Sequence, residues 1–460
     1  MTAGLEAAVA GEVAGFLAAA RAAAGDGGAP FAEVEALARA AGRAVANAMA
    51  QFGADLVCAG AGPGECGCGR QAPVHSVRSK TVATMTGDVA LTRAYCYCRE
   101  CGEGFCPADR ALGLDGRSRS EAVDMAAAAA GREAPFAAAA ALIEEIGGVR
   151  VVSAKTCDRV VKEVGGRARQ IMRADAEAAA RATPAERARR WDRAATAYVA
   201  YDGTGVAMVP SETEGRKGKG PDGRSHTRED KIARLFTQTG RDKDGQPVMD
   251  KDSSSFVTTF EPVGPFSAQV AGEALRRDVS RAPRLAVLGD GAVWIWGMAD
   301  RLWPRATQIV DFYHAVQHVN ELADLLKPHL GGERPKEFAK SLRDLLKQGD
   351  ITGLAAKARQ VAVPEDLKDE VGVKTAYFTK NWHRMQYAKF KAAGYFIGSG
   401  AVESACRSVA EDRVSRSGMR WTVEGADRVI ALRALHRSSE DRYAKLWTRP
   451  ANPPALAQAA

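Results

Sequence analysis

The stretch AYVAYDGTGVAMV, residues 197–209, decides the fold of the second half of this 460-residue chain. An apolar run leads into an aspartate followed by glycines, a pattern typical of a buried β-strand that ends in a turn. Three more strand-like runs follow: KIARLFTQTG at 231–240, SSSFVTTF at 253–260 and RLAVLGDGAVWIW at 284–296. Helical sequence begins after Asp311. Strands in this order, followed by helices, predict an α/β domain.

Three acidic residues stand where a carboxylate can face a cleft. Asp202 and Asp290 each follow an apolar strand, and the glycines around Asp290 let the backbone turn tightly and leave room for a phosphate. Ser399 is expected to cap a helix that carries Glu403. Carboxylate oxygens suit Mg²⁺ or Mn²⁺, and two such ions support phosphoryl transfer. The alternative is that each acid only forms a turn or lies on a solvated helix.

Four segments stand out together: YDGTGV at 201–206, VLGDGAVWIW at 287–296, DFYHAVQHV at 311–319 and GYFIGSGAVESACRSVAEDRVSRSGMRWT at 394–422. With ALRAL at 431–435, they resemble the catalytic blocks of the ISKra-type insertion-sequence transposases, which belong to the DDE class. The resemblance implies an RNase H-like catalytic core with Asp202, Asp290 and Glu403 as its metal-binding catalytic residues. It also implies a helical insertion between the last two acids, matching the helical pattern of 321–391. FCPADRALGL at 105–114 and PFAAAAALIEEIGGVRVVSAKT at 135–156 extend the resemblance into the N-terminal half.

The function implied is a DNA transposase that cleaves element ends and joins the freed 3′ hydroxyl to target DNA. Its partners would be transposon ends and target DNA, and it would act as a homo-oligomer, at least a dimer when two ends are paired. Two other functions stay open: a catalytically silent, transposase-derived DNA-binding protein or repressor, and an RNase H-like nuclease in repair or defence.

Seven of the nine cysteines lie between Cys58 and Cys106, and four of them bracket a hairpin predicted around Gly87. In a reducing cytoplasm such crowding indicates metal rather than disulfides. The predicted zinc-ribbon ligands are Cys66, Cys68, Cys98 and Cys101. The single residue between the first two departs from the usual spacing, so a substitute ligand stays open: Cys58, Cys96 or Cys106. Buried thiols without metal are the alternative.

Residues 136–165 have the proportions of a helix-turn-helix, with Ser153 as the cap of the second helix. Four residues of that helix are predicted to read DNA: Lys155, Thr156, Arg159 and Lys162. Many helical hairpins only pack, which is the alternative.

A second DNA contact is predicted after Glu403, from cations suited to phosphates and a ring suited to base stacking: Arg413, Arg416, Arg420 and Trp421. Alternatively, Trp421 packs in the core and the arginines pair with Glu411, Asp412 or Glu424. Trp294 and Trp296, at strand spacing after Asp290, are expected on one face of a strand, where core packing is preferred to base stacking. The loop ETEGRKGKGPDGRSHTREDK at 212–231 is interpreted as a solvated hairpin tip in preference to a DNA contact.

Asp311 and His314 lie one helical turn apart and are secondary candidates for the catalytic site. His314 would hold a phosphate or orient a carboxylate; packing within an amphipathic helix is the alternative.

The expected organisation has seven parts: N-terminal helices (1–52), a zinc-ribbon-like module (53–115), a helix-turn-helix-like region (116–195), the first catalytic part (196–320), the helical insertion (321–391), the last catalytic part (392–447) and a disordered tail (448–460). Lys and Arg total 64 against 56 Asp and Glu, and this net charge of +8 favours a polyanionic partner. The apolar N-terminus contains Glu6 and Glu12 and predicts an amphipathic helix rather than a signal peptide or membrane span. The expected location is the cytoplasm, in association with the nucleoid.

Overall fold

The computed structural model describes residues 2–25, 30–188, 194–218, 222–332, 334–398, 400, 406–438 and 442–447. Glu403, Ser399 and the tail 448–460 lie outside these described residues. The chain forms a mixed α/β structure with two compact units. The first comprises Met1–Glu163 with Trp447–Ala460, and the second comprises Val164–Leu446.

The first unit begins with two long helices, continues with short strands around one long hairpin, and returns to helix. Its elements are α1 (Thr2–Gly25), α2 (Phe31–Gly60), β1 (Gly64–Glu65), β2 (Gln71–Ala72), β3 (Val74–Thr84), β4 (Gly87–Tyr97), β5 (Gly104–Phe105), α3 (Pro107–Leu112), α4 (Glu121–Glu133), α5 (Phe136–Gly147) and α6 (Ala154–Arg181), which continues into the second unit. The predicted hairpin is confirmed, because β3 and β4 pair with Thr84 opposite Gly87. The second helix continues to Gly60, beyond the boundary expected at residue 52.

Alternating side chains of the long hairpin make the core of this unit. Val82, Val89 and Leu91 are buried against Ala54 and Cys58 of α2. This period-two pattern explains why the run folds as a hairpin.

The apolar segment Gly4–Ala24 of α1 is long and apolar enough to cross a membrane, and none of it is buried. A signal sequence near an N-terminus has the same length and apolar composition.

The second unit contains a five-stranded sheet flanked by helices. Its further elements are α7 (Pro184–Ala188), β6 (Thr196–Ala207), β7 (Thr227–Gln238), β8 (Ser255–Thr259), α8 (Val263–Arg276), β9 (Arg284–Gly289), α9 (Val293–Leu302), β10 (Thr307–Val310), α10 (Phe312–Leu326), α11 (Pro335–Gln348), α12 (Ile351–Arg359), α13 (Glu365–Lys380), α14 (Tyr387–Ala392) and α15 (Val423–Arg437). A π-helical segment, Arg407–Glu411, and a helical turn, Asp412–Val414, precede α15. The stretch 321–391 is helical, as the sequence predicted, although α10 begins earlier, at Phe312.

The strand order is β10-β9-β6-β7-β8. β6, β7 and β8 pair antiparallel, whereas β9 runs parallel to β6 and β10 runs parallel to β9. Tyr198 of β6 stacks on Phe236 of β7 with ring centres 4.7 Å apart in the core. Because β6, β9 and β10 are parallel, their carboxyl ends meet at one edge of the sheet.

The predicted strand through Trp294 and Trp296 is wrong. β9 ends at Gly289, and both tryptophans lie on α9. Ile295, Trp296, Met298 and Ala299 are buried at helical spacing. A short apolar run fits a strand or a buried helix equally well. In this chain the turn at Asp290 separates β9 from α9.

Candidate functional site

Three aspartates meet at one edge of the parallel part of the sheet. Asp290 and Asp311 follow the ends of β9 and β10, but the prediction that Asp202 stands at a strand end is wrong, because β6 continues past it to Ala207 in its antiparallel pairing with β7. Ala200 of β6 pairs with Leu288 of β9, and Asp202 and Asp290 each stand two residues beyond that pair. Asp311 directly follows β10, and its backbone N–H donates to the carbonyl of Gly289 at 2.8 Å. All three line one small pocket, together with Tyr201, Leu288, Gly289 and His314. The structure therefore brings the predicted Asp202 and Asp290 together and adds Asp311.

Asp202 occupies an electrostatically unfavourable position for a lone carboxylate. Its burial raises its pKa, hydrogen bonds from the Cys406 thiol and the Gly203 amide oppose that rise, and the charge of Asp290 raises the pKa further. The Gly203 N–H lies 2.7 Å from Asp202 Oδ1. The charge of Asp290 therefore adds to burial in disfavouring the ionised form of Asp202.

Asp290 is held in a tight turn. Its Oδ1 accepts the N–H of Ala292 at 2.8 Å, and its backbone carbonyl accepts the Tyr377 hydroxyl at 2.9 Å. The turn needs glycine at 291, where φ is +103° and a Cβ would lie 2.8 Å from the Tyr377 ring. A Cβ at Gly289 would lie 2.7 Å from Ile295. The glycines at 289 and 291 therefore permit the close packing of Ile295 and Tyr377 around this turn, and room for a phosphate beside Asp290 stays a prediction.

Asp311 and His314 lie at the start of α10. Asp311 is 1% exposed and caps the helix, since its Oδ1 accepts the backbone N–H of His314 at 2.8 Å. The His314 ring is half-buried, with Nδ1 4.0 Å from that oxygen. His318, one turn further on, stacks on Tyr377 with ring centres 3.9 Å apart. Both secondary candidates thus line the pocket of the predicted acids.

Glu403 belongs to the part of the chain outside the described residues. Cys406, three residues later in sequence, hydrogen-bonds to Asp202, and burial together with that carboxylate raises the pKa of its thiol. Glu411, in the π-helical segment, accepts the Thr204 hydroxyl at 2.8 Å. The described residues after Glu403 are therefore anchored to β6 beside Asp202.

Asp230 is a residue of this region that the sequence analysis missed. It pairs with Thr204 across β6 and β7, which places it on the same sheet face as Asp202. It is fully buried, and neither carboxylate oxygen has a hydrogen-bond partner in the described residues. Burial raises its pKa to about 8 despite the nearby guanidinium of Arg169. Asp230 stands two residues before Ile232 in an apolar strand, so strand alternation places both on one face, and this pattern could have identified it.

Arg413 and Trp421 are buried, and the structure does not present them to DNA. The Arg413 guanidinium lies 5.2 Å from the centre of the Trp421 ring, whose N–H donates to the Val414 carbonyl at 3.0 Å. The backbone of Trp421 also exchanges hydrogen bonds with Ala207 and Val209. Trp421 therefore packs in the core, as the alternative interpretation stated, and Arg413 is buried beside it. Arg416 and Arg420, the other two residues of this predicted DNA contact, are exposed.

The four predicted zinc ligands, Cys66, Cys68, Cys98 and Cys101, form a cluster whose sulfurs all lie within 4.8 Å of one another. Two of the Sγ–Sγ distances are 3.4 Å (Cys66 to Cys101) and 3.7 Å (Cys68 to Cys98). Thiolates bound to a tetrahedral zinc at about 2.3 Å lie about 3.8 Å apart. The cluster is therefore compatible with zinc.

Two turns present these thiols. In the first, Gly69 N–H donates to the Cys66 carbonyl at 2.9 Å; in the second, Gly102 N–H donates to the Cys98 carbonyl at 2.9 Å. The first turn closes around the one-residue spacer, so this short spacing does not prevent Cys66 and Cys68 from joining the cluster. A hydrogen bond from the Cys101 amide lowers the pKa of the Cys98 thiol to about 7, which favours the metal-binding thiolate at this position. At Cys66 the Cys68 amide lowers the pKa, but burial and hydrogen bonds to Cys101 and Glu103 outweigh it and raise the pKa to about 12.

The three cysteines proposed as substitute ligands lie elsewhere. Cys58 is in the core between α2 and the hairpin, and Cys106 caps α3. Cys96 is fully buried next to the cluster, with its thiol directed to the Gly62 carbonyl at 3.9 Å.

The predicted recognition helix is the beginning of α6. Its cap is present, because Ser153 Oγ accepts the Thr156 N–H at 3.2 Å. Lys155 and Arg159 are exposed, whereas Thr156 and Lys162 are half-buried. Lys162 pairs with Asp158 at 2.9 Å. The helix therefore offers at least two exposed cations.

No protein-family model and no curated protein matches this chain. Its function is therefore inferred from the residues and their geometry.

Proposed function

We propose that this protein is a DNA transposase of the DDE class, of the ISKra insertion-sequence type. The observation that carries the proposal is the pocket in which Asp202 of β6 meets Asp290 and Asp311, which follow β9 and β10. The sheet order, three antiparallel strands continued by two strands parallel to the first, supports an RNase H-like core. The helical stretch between Asp290 and Glu403 supports the proposed insertion.

In this proposal Asp202, Asp290 and Glu403 hold two Mg²⁺ or Mn²⁺ ions. The ions would activate water or a 3′ hydroxyl and stabilise the leaving oxygen of an in-line phosphoryl transfer. The protein fixes the carboxylates through hydrogen bonds to backbone amides, and Tyr377 holds the turn of Asp290. His314 faces the same pocket, where it can contact a phosphate or orient Asp311.

The partners in this proposal are transposon ends and target DNA, and two ends would be held by a homo-oligomer in the nucleoid. Lys155 and Arg159 on α6 would contact an end, and the four-cysteine cluster would hold zinc and stabilise the module before it. Exposed cations supply the phosphate contacts that orient a protein on a duplex.

The test is cleavage and joining of a duplex that carries the element end, with Mg²⁺ or Mn²⁺. Asp202→Asn, Asp290→Asn and Glu403→Gln should each reduce both reactions to the metal-free background. Asp324→Asn, an exposed position on α10, is the matched control and should retain parental activity. Asp311→Asn decides whether the fourth acid is required.

Three results would refute the proposal. Full activity of Asp290→Asn or Glu403→Gln would remove the metal-site assignment. Binding of ends without cleavage in either metal would favour the repressor, and cleavage without joining would favour the nuclease.

A further inference from the structure

The hairpin between β6 and β7 carries a second concave surface, which we call the hairpin groove. Beyond Ala207 its two arms remain paired: Lys217 bridges to Arg224, and the Met208 N–H donates to the His226 carbonyl at 3.0 Å. The groove encloses about 1400 Å³ of solvent-open space. The described part of the predicted solvated tip is therefore a paired hairpin arm with mostly exposed side chains, and residues 219–221 lie outside the described residues.

Positive charge dominates this groove. Its lining includes four permanent cations, Arg216, Lys217, Arg224 and Arg420, against a single carboxylate, Glu214. In the described part of the chain, no carboxylate lies within ion-pair distance of these four; the nearby Asp222 pairs instead with His226 at 2.9 Å. Uncompensated cations that face one concavity favour a polyanion.

The lining chemistry distinguishes among polyanions. The described lining contains no Phe, Tyr or Trp, and its one aromatic side chain, His226, is paired with Asp222, so the groove offers mainly charge and hydroxyl groups rather than a platform for base stacking. Such a surface suits the phosphates of a duplex, which are contacted without regard to sequence.

The groove also lies at a defined distance from the acidic pocket. Met208, in its lining, stands six residues after Asp202 along one continuous strand direction. At about 3.3 Å per residue this is about 20 Å to the near edge of the groove, and Lys217 and Arg224, which pair with each other, lie further along the hairpin. A duplex rises about 3.4 Å per base pair, so 20 Å corresponds to about six base pairs.

We propose that the hairpin groove holds the phosphate backbone of duplex DNA in a stretch that begins about six base pairs from the phosphate that is cleaved. This inference rests on the proposed transposase function for the position of the cleaved phosphate. The expected affinity of the groove for DNA does not depend on the proposed function.

The test compares the parent with the triple variant Arg216→Ala, Lys217→Ala, Arg224→Ala. Binding to a 40-base-pair duplex of unrelated sequence is measured without divalent metal from 50 to 300 mM NaCl. Three lost phosphate contacts should reduce the slope of log affinity against log salt by about 3, and affinity at low salt by at least about 10-fold. The control is a triple alanine variant of Lys336, Lys340 and Lys347 on α11, which removes the same charge. It should keep the parental slope of log affinity against log salt.

Hydroxyl-radical footprinting on end-containing DNA supplies the second measurement. The parent should protect backbone about six base pairs from the cleavage point, and the groove variant should lose that protection alone. Equal circular dichroism melting of both triple variants checks that the fold is intact.

The outcomes separate this inference from the proposed function. If the parent cleaves DNA but the groove variant keeps the parental slope and footprint, the groove inference is wrong and the transposase proposal stands. If the groove variant shows the reduced salt dependence of binding but the parent never cleaves DNA, the groove binds DNA and the transposase proposal fails. A parent that binds no duplex overturns the groove inference.

Discussion

Gly165 and Gly166 are adjacent residues of α6 for which we expect replacement by alanine to have opposite effects. A Cβ on Gly165 would lie 2.0 Å from the carbonyl oxygen of Arg428 and 2.6 Å from its carbonyl carbon. Both atoms belong to the backbone of α15, which packs against β8. A Cβ on Gly166 would meet only the end of the Arg428 side chain, at 3.9 Å.

The magnitudes follow from these distances. Alanine in place of a helical glycine stabilises a helix by about 1 kcal/mol, and Gly166→Ala should keep this gain. Overpacking of a core costs about 1–3 kcal/mol, and contact with a backbone that cannot rotate away places Gly165→Ala at the upper end. The net loss for Gly165→Ala is therefore about 2 kcal/mol, and the two variants should differ by about 3 kcal/mol.

Urea denaturation followed by circular dichroism measures this difference in the free energy of unfolding. Gly165→Ala should also weaken the proposed site, because Arg433 of α15 holds the backbone carbonyls of Ser408 and Val409 in the segment beside Cys406. If Gly165→Ala unfolds at the same urea concentration as Gly166→Ala, the close approach of α6 and α15 is refuted.

Three further predictions concern the zinc cluster and two buried acids. Cys98→Ser should remove zinc, measured by elemental mass spectrometry, and unfold its module, since structural zinc contributes on the order of 10 kcal/mol; retained zinc would contradict this. Burial raises the pKa of Glu273, but Arg276 and Arg442 outweigh burial and lower it to about 2. This stabilisation is complete above the ordinary pKa of 4.5 and is lost as the pH falls toward 2, so acid titration of unfolding should show it. Glu273→Gln should destabilise the protein by about 3–5 kcal/mol at pH 7, because the buried Arg276 guanidinium loses this carboxylate while Arg442 retains only Asp175 of its two acidic partners, and an unchanged urea midpoint would exclude this. Asp230 has the opposite sign: its pKa of about 8 exceeds the ordinary 3.8, so stability should fall as the pH rises between these values. Asp230→Asn should abolish that fall, which urea unfolding at pH 5 and 8 would measure; an undiminished fall would assign it to other groups.

The sequence predicted the long hairpin of the first unit because its side chains alternate and its pairing is local. It also predicted that Asp202 and Asp290 meet, since an acid after each of two apolar runs needs only a parallel pairing of the strands to reach the same edge. Trp294 and Trp296 were assigned to a strand because a short apolar run does not distinguish strand from helix. The burial of Trp421 depends on hydrogen bonds to Ala207, a partner too distant in sequence for any local pattern to indicate.

Two interpretations of Asp202 and Asp290 follow from the sequence: each forms a turn, or each is a metal ligand. In the structure Asp290 forms a turn and Asp311 caps α10, each accepting a backbone amide at 2.8 Å, whereas Asp202 lies within β6 and accepts the Gly203 N–H at 2.7 Å without a turn. The same three side chains line one pocket. Each of these hydrogen bonds restricts the rotamer of its carboxylate before any ligand binds, which is the preorganisation that a metal site requires. The hydrogen bonds therefore support the proposed role, and a variant that keeps the Asp290 turn but removes the charge, such as Asp290→Asn, separates turn formation from metal binding.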